Sequence, residues 1–163
     1  MLWYVLLGIT TGMRTMTAMA VLCWFAWLHL LPQVGWAFWA GHPVSVVVFT
    51  LLAVGEYYGD TLPTTPSRKR LPLLLARVAF GALAGALAAN GIMEPAAGGA
   101  IFGAAGAVIG TYGGYQLRVW GAKLLGRDLP VALCESALAL GLAVFAAWML
   151  HLGMLTDTAQ NVL

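Results

Sequence analysis

Charge is what this chain has least of. Only 9% of its 163 residues are Asp, Glu, Lys or Arg, against about 25% in a soluble domain. The net charge of +2 and the absence of a basic, aromatic-interleaved stripe exclude a nucleic-acid binder. Cysteine is nearly absent as well. Cys23 and Cys134 lie in apolar segments with no CxxC or Cys/His spacing, which reads as two buried thiols and neither a disulfide nor a metal pair. There is no phosphate-binding Gly-rich loop followed by Lys, so any driving force would have to come from a gradient or a partner. Ala18-Met19-Ala20 imitates a signal-peptide cleavage site, but no basic region precedes it and Arg14 interrupts the apolar run; the segment reads as retained.

What is abundant is apolar surface: 61% hydrophobic residues and a mean hydropathy of +0.87. A helix needs about 20 residues to cross the hydrocarbon core. That length divides the chain into an all-α, polytopic helix bundle of about five spans, forming one integral membrane domain over residues 1–163. Residues 2–31 are too long for one upright span. Gly8, Thr10, Thr11 and Gly12 mark a break before Arg14, giving a half-helix over 2–10 and a span over 13–31; one long tilted helix is the alternative. Further spans are expected over 44–59, 71–92, 96–122 and 131–152. Pro32, Pro43, Pro63, Pro66, Pro72, Pro95 and Pro130 fall at the boundaries, where a missing N–H costs least. The 60–70 loop carries Arg68-Lys69-Arg70 and the 122–130 loop Lys123 and Arg127, whereas 32–43, 92–95 and the tail have neither Lys nor Arg. The positive-inside rule then places the N-terminus inside, the C-terminus outside and Trp36 and Trp39 in the outer belt.

Gly99, Gly103, Gly106, Gly110 and Gly114 share one helix face, and Gly81-xxx-Gly85 repeats the device. Small residues let helix backbones approach closely in lipid, within the bundle or in a dimer. A bundle this small should also need a second copy to cover its polar residues, so a homo-oligomer is expected.

The scarce charges are the candidates for function, because ionisable groups at membrane depth are expensive. Glu56 and Asp60 are one helical turn apart, on one face. Arg77 lies about 9 Å into its span by helical rise. Arg118 precedes the exit of its span, Glu135 enters the last, and a break at Gly12 brings Arg14 to the same level. Arg14, Glu56, Asp60, Arg77, Arg118 and Glu135 thus fall in one slab in the cytoplasmic third of the bilayer. That slab is either a substrate-binding site or a structural salt-bridge cage. Thr10, Thr11, Thr15 and Thr17 surround Arg14. Broken-helix N–H groups beside a guanidinium suit an anion, although the hydroxyls can equally satisfy freed backbone groups. His29, His42 and His151 lie near outer span ends without ligand spacing, and Glu94 reads as a solvated loop residue. No cofactor and no metal site are expected.

These motifs resemble a family of bacterial membrane proteins bearing domain of unknown function 4126. The resemblance rests on Gly8-xxx-Gly12-Met13-Arg14-Thr15, Gly55-Glu56-xxx-Asp60-x-Leu62-Pro63 and Thr65-Pro66-Ser67-Arg68. It continues through Ala76-Arg77-xxx-Gly81-Ala82, Gly114-Tyr115-xx-Arg118 and Val131-Ala132-Leu133-x-Glu135. It covers nearly the whole chain and implies a multi-span protein of the bacterial inner membrane with no established activity. Thr61 stands where the family often has lysine, and Glu135-Ser136 where it often has an acidic pair; both departures weaken a metal site built on paired carboxylates. A faint internal repeat relates Gly8-xxx-Gly12-x-Arg14 to Gly110-xxx-Gly114-xxx-Arg118, a device found in transporters.

Two functions compete. One is a small transporter or channel-like permease for a polar, anionic solute or lipid headgroup, bound by Arg14, Arg77 and Arg118 and balanced by Glu56, Asp60 and Glu135. The other is a membrane-embedded, metal-dependent enzyme acting on a phospholipid or isoprenoid phosphate, with the three carboxylates holding Mg²⁺. The second lacks a nucleophile–base pair in the sequence.

Overall fold

The computed structural model describes residues 1–59, 71–125 and 128–160. Asp60, the Arg68-Lys69-Arg70 run and Arg127 lie outside the described residues. Within them the regular structure is all helical: α1 (Leu2–Met13), α2 (Thr15–Trp27), a 3-10 segment (Gly35–Gly41), α3 (Pro43–Gly59), α4 (Leu71–Gly91), α5 (Ala96–Leu125) and α6 (Asp128–Gln160). Leu71–Gly91, Ala96–Gly121 and Pro130–Thr156 are long and apolar enough to cross a membrane, and the 3-10 segment with α3, bent by 65°, makes a fourth candidate.

Prolines begin or flank these elements as the sequence suggested. Pro43 opens α3, where His42 Nδ1 accepts from the Val44 N–H at 3.2 Å. At the ends of α2 and α4 the chain turns through left-handed residues, His29 (φ 58°) and Met93 (φ 60°). In each case the next N–H reaches back five residues, Leu30 to the Phe25 carbonyl and Glu94 to that of Ala89, both at 2.9 Å. These are Schellman caps with a non-glycine residue at the left-handed position.

The first apolar run breaks as expected, but at Arg14, whose backbone is extended (φ −138°, ψ 103°), and not over 11–12, which remain in α1. Its consequence differs from expectation. At 12 and 13 residues, α1 and α2 are about 18 and 20 Å long, each short of the ~30 Å hydrocarbon thickness. They do not continue one another across the bundle. Tyr4, at the start of α1, donates its hydroxyl to Glu94 at 2.6 Å. Just beyond the end of α2, the Val34 N–H bonds the Asn90 side chain at 3.0 Å, and the Leu30 carbonyl accepts from His151 Nδ1 at 2.6 Å. Both ends of this pair therefore lie at the α4–α5 turn, while Arg14 lies far down the bundle against α4 and α6. The first run is a helical hairpin with Arg14 at its tip.

The start of α1 and the late part of α6 lie at the same end of the bundle, and the described helices offer three candidate spans, or four with the bent pair, where about five were expected. Glu94, expected as a solvated loop residue, is exposed in the turn between α4 and α5 and accepts from the Tyr4 hydroxyl.

The hairpin is the centre of the molecule. Seven of the 12 residues of α1 and nine of the 13 in α2 are buried, whereas the outer helices present Leu51, Ile101, Leu133 and Phe145 more than half exposed. An apolar outer face around a buried core is what a lipid solvent selects.

Glycine permits the close approach. Gly8 and Gly12 lie against Gly103, Ala107 and Thr111 of α5, and Gly106 and Gly110 lie against the Val5 and Ile9 carbonyls of α1. Gly81 and Gly85 of α4 meet Gly99 and Gly103 in the same way. At Gly8, Gly85, Gly106 and Gly110 a Cβ would overlap a neighbouring backbone carbonyl. The glycine series thus serves contacts inside one chain. It also shows that α1 and α5 run in the same direction, side by side. The two segments of the faint repeat are therefore parallel neighbours, and only the first breaks at its arginine.

Candidate functional site

A helix break at depth exposes carbonyls at the end of one half and N–H groups at the start of the next. Here both sets are met by charges from other helices. Arg77 of α4 donates Nη1 to the carbonyls of Gly12 and Met13, the second at 3.3 Å, placing a cation on the negative C-terminal end of α1. Glu56 of α3 accepts from the N–H groups of Thr15 (2.8 Å) and Met16 (2.9 Å) with its two carboxylate oxygens. It sits on the positive N-terminal end of α2, where Arg14 as N-cap makes no side-chain cap bond. Arg14 itself is wholly buried. It donates Nη2 to the Ala132 carbonyl of α6 at 3.0 Å, and its guanidinium carbon lies 5.5 Å from the centre of the Tyr57 ring, within cation–π range. Tyr57 also shares a 2.9 Å hydrogen bond with Thr17.

Of the six expected site residues, the structure brings some together. Arg14, Glu56 and Arg77 converge on the hairpin tip, and Glu135 lies one turn along α6 from the carbonyl that Arg14 holds. Arg77 and Glu135 are only 4% and 3% exposed. Arg118, partly buried, joins Glu135 in lining a 190 Å³ groove between α5 and α6. Asp60 is outside the described residues. Among the described residues, no group of three or more His, Cys, Asp and Glu side chains converges.

Glu56 and Arg77 hold opposite sides of one backbone break. Two of the four threonines bond backbone, and Thr17 bonds Tyr57. Thr10 and Thr11 bond the carbonyls of Leu6 and Leu7, four residues back, at 3.0 and 2.9 Å. The glycine face of α5, one ground for expecting a homo-oligomer, is occupied by α1 and α4 of the same copy.

Sequence reasoning missed Tyr57 and the carbonyls of Gly12, Met13 and Ala132. Tyr57 was open to discovery, since it follows Glu56 directly and carries both a ring and a hydroxyl at the right depth. The carbonyls had no sequence signal. Comparison with known families, curated proteins and solved structures gives no match.

Proposed function

We propose that this chain is a multi-pass protein of the bacterial cytoplasmic membrane and works as a small permease for a polar, anionic solute or lipid headgroup. Its binding point is the hairpin tip. Four spans (the 3-10 segment with α3, then α4, α5 and α6) surround the re-entrant pair α1–α2. Loop charge then directs the 60–70 and 122–130 loops to the cytoplasm and both termini to the outside.

The observation that carries this reading is a wholly buried Arg14 at the meeting point of two half-helices, with Glu56 and Arg77 holding the ends beside it. Non-helical backbone at membrane depth is tolerated where it is enclosed by protein or lines a cavity, and transporters bind ions and anions at such half-helix ends. Arg14 supplies a fixed cation of the kind that suits an oxyanion. Glu56 acts as the resident anion on the α2 N-terminus and balances the site when it is empty.

The test is flux in reconstituted vesicles, with sulfate, inorganic phosphate and fluorescent phosphatidylglycerol as probes. The natural chain should move at least one of them. Arg14→Gln should lower that rate tenfold or more with helicity retained, and Arg14→Lys should fall between. No flux of any probe, or Arg14→Gln working at the natural rate, rejects the permease.

A further inference from the structure

The helices around the hairpin tip are embedded to very different degrees. α2 buries nine of its 13 residues and α4 nine of its 21. α3 buries two of 17, Val46 and Ala53, which lie two turns apart on one face. Its packing is chiefly on α2 and on the 3-10 segment. The backbone seating that glycine gives α1, α4 and α5 does not recur at Gly55 of α3, where a Cβ would meet nothing within 4 Å.

The two ends of α3 are held in different ways. At its start the chain bends by 65° through His42, whose backbone is extended (φ −79°, ψ 137°). There Ser45 donates its hydroxyl to the Trp39 carbonyl at 2.6 Å, tying α3 to the 3-10 segment. Further along, polar side chains hold it to α2 and to the break. Thr50 accepts from Trp24 Nε1 at 3.0 Å. Glu56 spans the Thr15 and Met16 N–H groups, and Tyr57 bonds Thr17 and covers the Arg14 guanidinium. The other groups at the tip, Arg77 and the Ala132 carbonyl, belong to residues buried in α4 and α6. Tyr57 lies about 21 Å along α3 from Pro43, so a swing of about 15° at the bend carries it about 5 Å, beyond cation–π reach of Arg14.

We propose that α3 is the gate of the hairpin-tip site, pivoting at His42–Pro43, with Glu56 and Tyr57 as its latch. The gate rests on the reading of the tip as a binding point and gives a solute its way in to Arg14. A helix with so few buried apolar contacts opens before the core does. Opening also strips the acceptor from two N–H groups at membrane depth, so the latch keeps the closed state dominant.

The test is the rate at which N-ethylmaleimide labels single cysteines in detergent micelles, in a Cys23→Ala, Cys134→Ser background. Each rate is divided by that of the same chain unfolded in SDS. Ala53→Cys reports the buried face of α3. Ala86→Cys reports a position on α4 whose static exposure is no smaller, 8% against 6%. The Ala53 position should label at least ten-fold faster. Glu56→Gln and Tyr57→Phe should each raise its rate at least three-fold and leave the Ala86 rate unchanged. Equal rates at the two positions overturn the gate, as does equal acceleration of both, which reports a loosened bundle. No acceleration by either variant overturns the latch. The readout needs no transported solute. Flux by the natural chain together with equal labelling rates rejects the gate and keeps the permease, whereas unequal rates without flux reject the permease and keep the moving helix.

Discussion

Replacing Glu56 tests whether the buried charges serve the backbone or one another. Its two oxygens hold the Thr15 and Met16 N–H groups at 2.8 and 2.9 Å, and in Glu56→Ala both donors lose their acceptor. Leaving a buried donor unsatisfied costs about 1–3 kcal/mol. Thr15 and Met16 are only partly buried, so the lower part of the combined range applies, about 2–4 kcal/mol. Glu56→Gln keeps one carbonyl acceptor but loses the charge on the helix end, which is worth about 0.3–2 kcal/mol; its cost should be about half that of alanine. The assay is SDS-driven unfolding in mixed micelles, followed by far-ultraviolet circular dichroism. Alanine should shift the unfolding equilibrium roughly 30- to 700-fold, at 1.4 kcal/mol per factor of ten. Combining Glu56→Ala with Arg77→Met sharpens the test. Two members of a buried ion pair compensate when removed together, whereas two caps on opposite helix ends should cost close to the sum of their separate effects. A Glu56→Ala variant within about 0.5 kcal/mol of the natural chain, or a double variant no worse than either single one, would refute the capping account.

Two further outcomes follow from the hairpin and its glycines. Cysteines introduced at Leu2 and Thr156, in a Cys134→Ser background, should be labelled from one side of the membrane and a cysteine at Leu124 from the other; labelling of Leu2 and Thr156 from opposite sides restores a full first traverse. Gly106→Leu drives a side chain into the Val5 carbonyl of α1 and should cost about 3 kcal/mol in the same SDS titration, with Gly113→Leu close to neutral; equal stability of the two variants removes α1 from the face of α5.

Hydropathy, proline positions and glycine spacing are properties of the chain in one dimension, and they made the helical class, the helix boundaries near Pro43, Pro95 and Pro130, and the break at Arg14 legible. They also made Arg14, Arg77 and Glu135 suspects, because a charge in an apolar segment is costly whatever surrounds it. Direction was not legible. Thirty apolar residues interrupted by Gly12 and Arg14 are equally compatible with crossing and with doubling back. The choice is made by Tyr4 meeting Glu94, by Gly8 seating on Gly103 and by Leu30 meeting His151, contacts between segments about 90 to 120 residues apart. Partnership was illegible for a related reason. Depth along a helix can be counted, but whether Glu56 faces a guanidinium or a row of free N–H groups depends on which helix end lies beside it. Residue types alone determined that this chain buries charge among apolar helices; the tertiary structure decided that these charges close a broken helix, because backbone ends left open at that depth must be satisfied by whatever side chains the neighbouring helices bring.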